Sequence, residues 1–206
     1  MAPKYVCAID YGSTNMGFCF CDITSKPTPD NLPYMEHSTM LITSGGKLYK
    51  EFKLGLCAEM VYQWIHERWE KYFSKCVLVM GEQQMGTTSG GRDCVMIELA
   101  VKTIFMTMRA FGGPLYVTVK PVWWQEAVGL QVGGWDPLLN IQQIHSLKKK
   151  GSLAKFVKEY GAAALERLRV LWGNKLDDVV ESFWMAMAMR KNLDELLVKA
   201  RQTYHH

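Results

Sequence analysis

The chain has no C-x-x-C pair, no uninterrupted apolar run long enough to span a bilayer, no internal repeat and no low-complexity tract. Its six cysteines (Cys7, Cys19, Cys21, Cys57, Cys76 and Cys94) therefore read as buried thiols in a reducing compartment, with no part in metal or redox chemistry. No opening stretch combines a charged start, an apolar centre and a small-residue cleavage site, so the expectation is a soluble protein without a membrane span. Charge of one sign is also scarce. The 24 basic residues exceed the 20 acidic ones by a formal +4, a mild bias that favours a polyanionic partner without defining one. What is present is apolar: 49% of the 206 residues are hydrophobic, enough for one compact domain over 1–206.

Two short apolar runs, Tyr5 to Asp10 and Gly17 to Asp22, flank a turn-rich Tyr11-Gly12-Ser13-Thr14-Asn15 and predict a hairpin. A third strand is expected over Thr39 to Thr43. Leu54, Cys57, Val61, Trp64, Trp69 and Tyr72 recur at helical spacing between Phe52 and Phe73. Cys76 to Met80 reads as a buried strand, Asp93 to Phe111 as a helix, and Leu115 to Val119 as a strand stopped by Pro121. The helix from Asp93 to Phe111 is apolar on nearly all sides, which calls for two covers: the sheet, and a second copy of the chain. Periodicity is lost from Gly129 to Lys150, so a surface insertion is expected at 129–150, closing with Lys148-Lys149-Lys150. Ser152 to Leu171, with a break near Gly161, and Asp177 to about Arg201 complete the helices. A hairpin start followed by strand-helix alternation predicts an α/β fold with a mixed sheet flanked by helices.

Acids at strand ends and helix starts carry the chemical signal, because a carboxylate at the edge of an apolar strand is costly unless something satisfies it. Asp10 follows Tyr5-Val6-Cys7-Ala8-Ile9, and Glu82 follows Cys76 to Met80 and Gly81. Asp178 and Glu181, three apart at the start of a helix, share one face. Three or four acids from separate segments form the donor set expected for Mg²⁺, and two such ions serve phosphodiester hydrolysis. Each acid also has a plainer use. Asp10 suits a turn, Glu82 a solvated strand end, and Asp177 or Asp178 a helix cap.

Ile9-Asp10-Tyr11-Gly12-Ser13-Thr14-Asn15-Met16-Gly17-Phe18 resembles the first-strand motif of RuvC-like nucleases. Gly81-Glu82-Gln83-Gln84 is similar to their fourth-strand glutamate, and Lys175-Leu176-Asp177-Asp178-Val179-Val180-Glu181-Ser182-Phe183 to their C-terminal helix motif. The three occur in the family's order along nearly the whole chain, and the last is nearest to the poxvirus and fungal mitochondrial resolvases. The resemblance implies a ribonuclease H-like fold: a five-stranded mixed sheet, first three strands antiparallel, flanked by helices. It implies a homodimeric endonuclease of recombination and repair that cuts four-way (Holliday) DNA junctions with paired nicks. Two Mg²⁺ ions, or Mn²⁺, would be held by Asp10, Glu82, Asp178 and Glu181, with Asp177 as a further donor. The family usually carries aspartate at the position of Glu181.

The resemblance also implies a catalytic or phosphate-contacting lysine before the last helix, for which Lys148, Lys149 and Lys150 are candidates, and an apolar wedge three residues after the glutamate, where Met85 stands. Arg92, Lys120 and Lys155 are further candidate DNA contacts; a lysine-rich loop is also ordinary solvated surface. Trp123, Trp124 and Trp135 suit base stacking or core packing. A large DNA virus acting in its infected host, then a mitochondrion or other organelle, are the expected settings. An actin-like ATPase shares the Asp-x-Gly turn, but needs a second such loop and a second lobe that this chain lacks. A ribonuclease H, a transposase-like nuclease and a non-cleaving DNA-binding module remain as alternatives.

Overall fold

The computed structural model describes residues 4–12, 15–39, 43–44, 47–48, 54–84, 89–130 and 133–203. Strands β1 (Tyr5–Asp10), β2 (Asn15–Asp22) and β3 (Tyr34–Thr39) precede a small pair, β4 (Thr43–Ser44) and β5 (Lys47–Leu48). Helix α1 (Leu54–Trp69), β6 (Cys76–Glu82), α2 (Ser89–Arg109) and β7 (Leu115–Val119) follow. Helices α3 (Pro121–Ala127), α4 (Ile141–Tyr160), α5 (Ala162–Trp172), α6 (Leu176–Lys191) and α7 (Leu193–Thr203) close the chain.

The main sheet has the order β3-β2-β1-β6-β7, with β1–β2 and β2–β3 antiparallel and β1–β6 and β6–β7 parallel. Side chains alternate across a strand, so each central strand feeds two apolar layers. Val6, Ala8, Leu78 and Met80 pack with α6 in one, and Cys7, Ile9 and Val79 pack with α1 and α2 in the other. Continuing the alternation by one step puts Asp10 and Glu82 on the α6 face. They end parallel neighbours whose register sets Ile9 beside Gly81.

Three expectations need correction. The third main-sheet strand is Tyr34–Thr39, where the expectation ran from Thr39 to Thr43, of which 40–42 lie outside the described residues; among the described side chains of this edge strand Met35 is buried, and Tyr34, Glu36 and His37 around it are exposed or half-buried. The segment 129–150 is not irregular throughout: 141–150 form the first half of α4, started by a capping box in which Asn140 and Gln143 satisfy each other's backbone donors. Lys148, Lys149 and Lys150 thus lie on a helix, not in a loop. The last helix breaks at Asn192, giving α6 and α7. The expected break at Gly161 is present, with φ +84°.

Helix α2 covers the sheet with Ile97, Val101 and Phe105 buried, while Leu99 and Met106 on its outer side are 52% and 39% exposed. Among the described residues no helix is long and apolar enough to cross a membrane. Cys7, Cys19, Cys21 and Cys76 are free and buried.

Candidate active site

Two segments, the end of β1 and the first turns of α6, bring carboxylates together near the carboxyl ends of β1 and β6, and Glu82 at the end of β6 lies outside that group. Oxygens of Asp10, Asp178 and Glu181 all lie within 4.8 Å of one another. The approach of α6 depends on Gly17, which pairs with Asp10 across the hairpin. A Cβ at Gly17 would stand 2.5 Å from the carbonyl oxygen of Asp178, so only glycine lets the first turn of α6 sit this low. One helical turn then carries Glu181 to the same point. At Gly81 a Cβ would meet side chains instead of backbone, the hydroxyls of Tyr11 and Tyr116, which bond each other at 2.6 Å.

Glu82 is fixed from the other side. Trp124 on α3 donates its indole N–H to Glu82 Oε2 at 2.6 Å. Burial pushes the Glu82 carboxyl up to about 7, against the opposing pull of that hydrogen bond and of Lys148. Glu181 is pushed up to about 8 by burial, with Glu82, Asp178 and Asp177 adding to the effect and Lys149 opposing it. Asp10 is raised well above the usual carboxylate range by burial, then by Glu181, Glu82 and Asp178.

Neither Asp177 nor Asp178 caps its helix. Lys175 holds the N-cap position of α6 without a side-chain hydrogen bond. Both acids instead face Lys149, whose ammonium donates to Asp177 Oδ2 at 2.5 Å and Asp178 Oδ1 at 3.1 Å. Burial opposes the charge on Lys149, but the two aspartates outweigh it and raise the ammonium above its ordinary value. Lys149 faces the acids because Ser152, Phe156 and Tyr160 follow it at steps of three, four and four along α4, and these three are buried. Phe156 and Tyr160 pack edge-on against Phe183, and Trp184 donates to the carbonyl of Ser152 at 3.1 Å, which locks α4 onto α6.

The other candidates scatter around this centre. Lys148 lines a cavity together with Glu181, and Lys150 lines an open cleft with Lys149, Arg169 and Asp177. Lys120 is exposed and directly follows Val119, the register partner of Glu82. Lys155 is engaged within the protein, paired with Glu159 at 2.5 Å and lying over the Trp184 ring at 5.2 Å. Met85 lies outside the described residues, as does the side chain of Arg92.

Sequence reasoning missed three participants: Gly17, the indole of Trp124 as a partner of Glu82, and His37. His37 pairs with Gly17 on β3, and burial lowers its imidazole while the nearby Asp178 pulls the other way. For Gly17 the signal was a glycine inside an apolar strand, which marks close backbone approach. No pattern in the sequence pointed to His37.

No family model matches the sequence, and no curated protein does. Solved structures do. The yeast mitochondrial Holliday junction resolvase Ydc2 superposes with a TM-score of 0.60 at 13% identity, covering 98% of this chain and 87% of that one. RuvC of Thermus thermophilus gives 0.51 at 15% identity, covering 94% and 97%. RuvC of T. thermophilus in complex with Holliday junction substrate gives 0.50 at 14%, covering 93% and 96%. With this strand order, these parallel and antiparallel pairings and these structural neighbours, the chain has the ribonuclease H-like fold in the arrangement of the RuvC-like resolvases.

Proposed function

We propose that the chain is a divalent-metal-dependent endonuclease that resolves four-way DNA junctions, working as a homodimer that nicks two opposed strands. The observation that carries this reading is the convergence of Asp10, Asp178 and Glu181 oxygens within 4.8 Å. Burial and mutual repulsion raise Asp10 and Glu181, and Lys149 is the cation bonded to this acidic group, so the cluster has the chemistry of a hard-cation site.

In this reading Asp10, Asp178 and Glu181 would hold a Mg²⁺ or Mn²⁺ ion, and Glu82 would contribute to a second. Such ions offset phosphate charge and acidify water. Trp124 holds Oε2 of Glu82 by a hydrogen bond and so orients the carboxylate that would take part in binding a cation. Lys149 positions Asp177 and Asp178 and sets a positive charge beside the place where the phosphodiester gains negative charge. Lys148, Lys150 and Lys120 are proposed backbone contacts, with Met85 and Arg92 assigned to the loop after Glu82. The RuvC structure in complex with Holliday junction substrate supports branched DNA as the substrate, and the exposed Leu99 and Met106 of α2 support a second copy as the cover. Both apolar layers share one sheet, which supports one nuclease domain over 1–206. Free, buried thiols suit a reducing compartment, either an infected host cell or an organelle.

The test is a panel of a synthetic four-way junction, a plain duplex and an RNA/DNA hybrid, each with Mg²⁺ and with chelator. Symmetric nicks in the junction alone, abolished by Asp10→Asn or Glu82→Gln while binding persists, are expected. Equal cutting of the duplex or the hybrid would refute junction selectivity. Normal rates from either variant would refute the site.

A further inference from the structure

Beside the acids lies a cavity of about 170 Å³ lined by Trp124, Gln125, Leu130, Trp135, Leu147, Lys148, Gly151 and Glu181. Its walls are largely aromatic and aliphatic, and two of the lining residues carry a buried polar atom with no partner among the described residues: Gln125 Oε1 and Trp135 Nε1. Gln125 is only 7% exposed. An unpaired buried donor or acceptor costs about 1–3 kcal/mol, so two such residues in one lining suit a ligand that supplies both an acceptor and a donor.

Resting on the nuclease reading, we propose that this cavity receives one unstacked pyrimidine base of the DNA, next to the phosphate held at the acids. Size points to a single ring, since a cavity of about 150 Å³ accepts one benzene. The chemistry agrees. A pyrimidine edge carries a carbonyl to accept from the Trp135 N–H and an N–H to donate to Gln125 Oε1, while its faces suit a site walled by two tryptophans. Location agrees as well, because Glu181 belongs both to the cavity lining and to the acidic cluster, and Lys148 adds a positive charge for the nucleotide's phosphate. A branch point supplies such a base at small cost, since unpairing is cheapest where stacking is already interrupted. The cavity is thus a specificity pocket that couples base identity to the position of the cut.

The experiment uses the Asp10→Asn protein bound to a four-way junction in which 5-iodouracil replaces one pyrimidine at a time near the cut. Irradiation and peptide mass mapping then locate the crosslinks. One position is expected to crosslink to Trp135 or Trp124. With the native protein, an abasic nucleotide at that position should lower kcat/KM about tenfold or more. Gln125→Leu should shrink the pyrimidine-over-purine preference there toward one. A junction that is bound and cut, with crosslinks mapping only elsewhere or with no loss at any abasic position, would overturn the pocket and mean that water alone fills it, leaving the nuclease reading intact. A protein that binds no junction would overturn both.

Discussion

Glu181→Gln is expected to make the metal-free protein more stable while removing its activity. In the folded chain Glu181 ionises at about 8, raised first by burial and then by neighbouring acids. A glutamate in the unfolded chain ionises at ~4.3. Between these values the folded state holds a proton that the unfolded state has lost, so stability falls as pH rises through the window. Keeping this carboxylate charged at pH 8 costs about 5 kcal/mol as an upper limit, since each pH unit between the two values is worth ~1.36 kcal/mol. A glutamine there leaves its own amide imperfectly paired at about 1–3 kcal/mol, so the net gain is on the order of 2 kcal/mol. For a chain of this length that is roughly 4–8 °C in Tm. The assay is calorimetric melting in chelator at pH 5 and pH 8. The gain should be present at pH 8 and nearly absent at pH 5, where the native carboxyl is already protonated. Added Mn²⁺ should reverse the order at pH 8 by stabilising only the native chain. A lower Tm for the variant at pH 8 without metal, or an equal gain at both pH values, would refute the reasoning.

Lys149→Met should reduce single-turnover cleavage by about 10²–10³, with Lys148→Met and Lys150→Met each costing less than about tenfold; similar losses for all three would remove the special position of Lys149. Gly17→Ala forces a Cβ to within 2.5 Å of the Asp178 carbonyl, so it should cost about 1–3 kcal/mol in calorimetric stability and weaken Mn²⁺ binding, where unchanged binding would show that α6 does not depend on this glycine. Trp124→Phe deletes a hydrogen bond that holds the Glu82 carboxyl down, so the acid limb of the kcat/KM profile should move to higher pH by about one unit, and a limb that stays or moves down would contradict the assignment. Neutralising Lys148 and Lys150 together should flatten the salt dependence of junction binding; an unchanged slope would take them out of the interface.

Much of the sheet, and the positions of Asp10 and Glu82 at its strand ends, were legible because they follow from alternation. Once Tyr5 to Asp10 and Cys76 to Glu82 are buried strands, Asp10 and Glu82 must emerge at their ends on the face of Val6, Ala8, Leu78 and Met80. The choice among Lys148, Lys149 and Lys150 was hidden by treating them as a loop. Gly151, which has no side chain to pack and open space around it, disguised a continuous helix whose Asn140-x-x-Gln143 start was present in the sequence. With the helix recognised, the spacing from Lys149 to Phe156 and Tyr160 selects the lysine that faces α6. Strand β3 was misplaced because, among its described side chains, buried Met35 stands between exposed or half-buried neighbours and carries almost no periodic signal. His37 and Trp124 join the site through register and long-range packing, which no local pattern encodes, whereas Gly17 carried the local signal of a glycine inside an apolar strand.

The most direct measurement is an anomalous difference map from crystals soaked in Mn²⁺. A peak should stand among the carboxylates of Asp10, Asp178 and Glu181 in the native protein and vanish in Asp10→Asn. Manganese bound only elsewhere, or an undiminished peak in the variant, would contradict the claim that these acids form the metal centre of a nuclease.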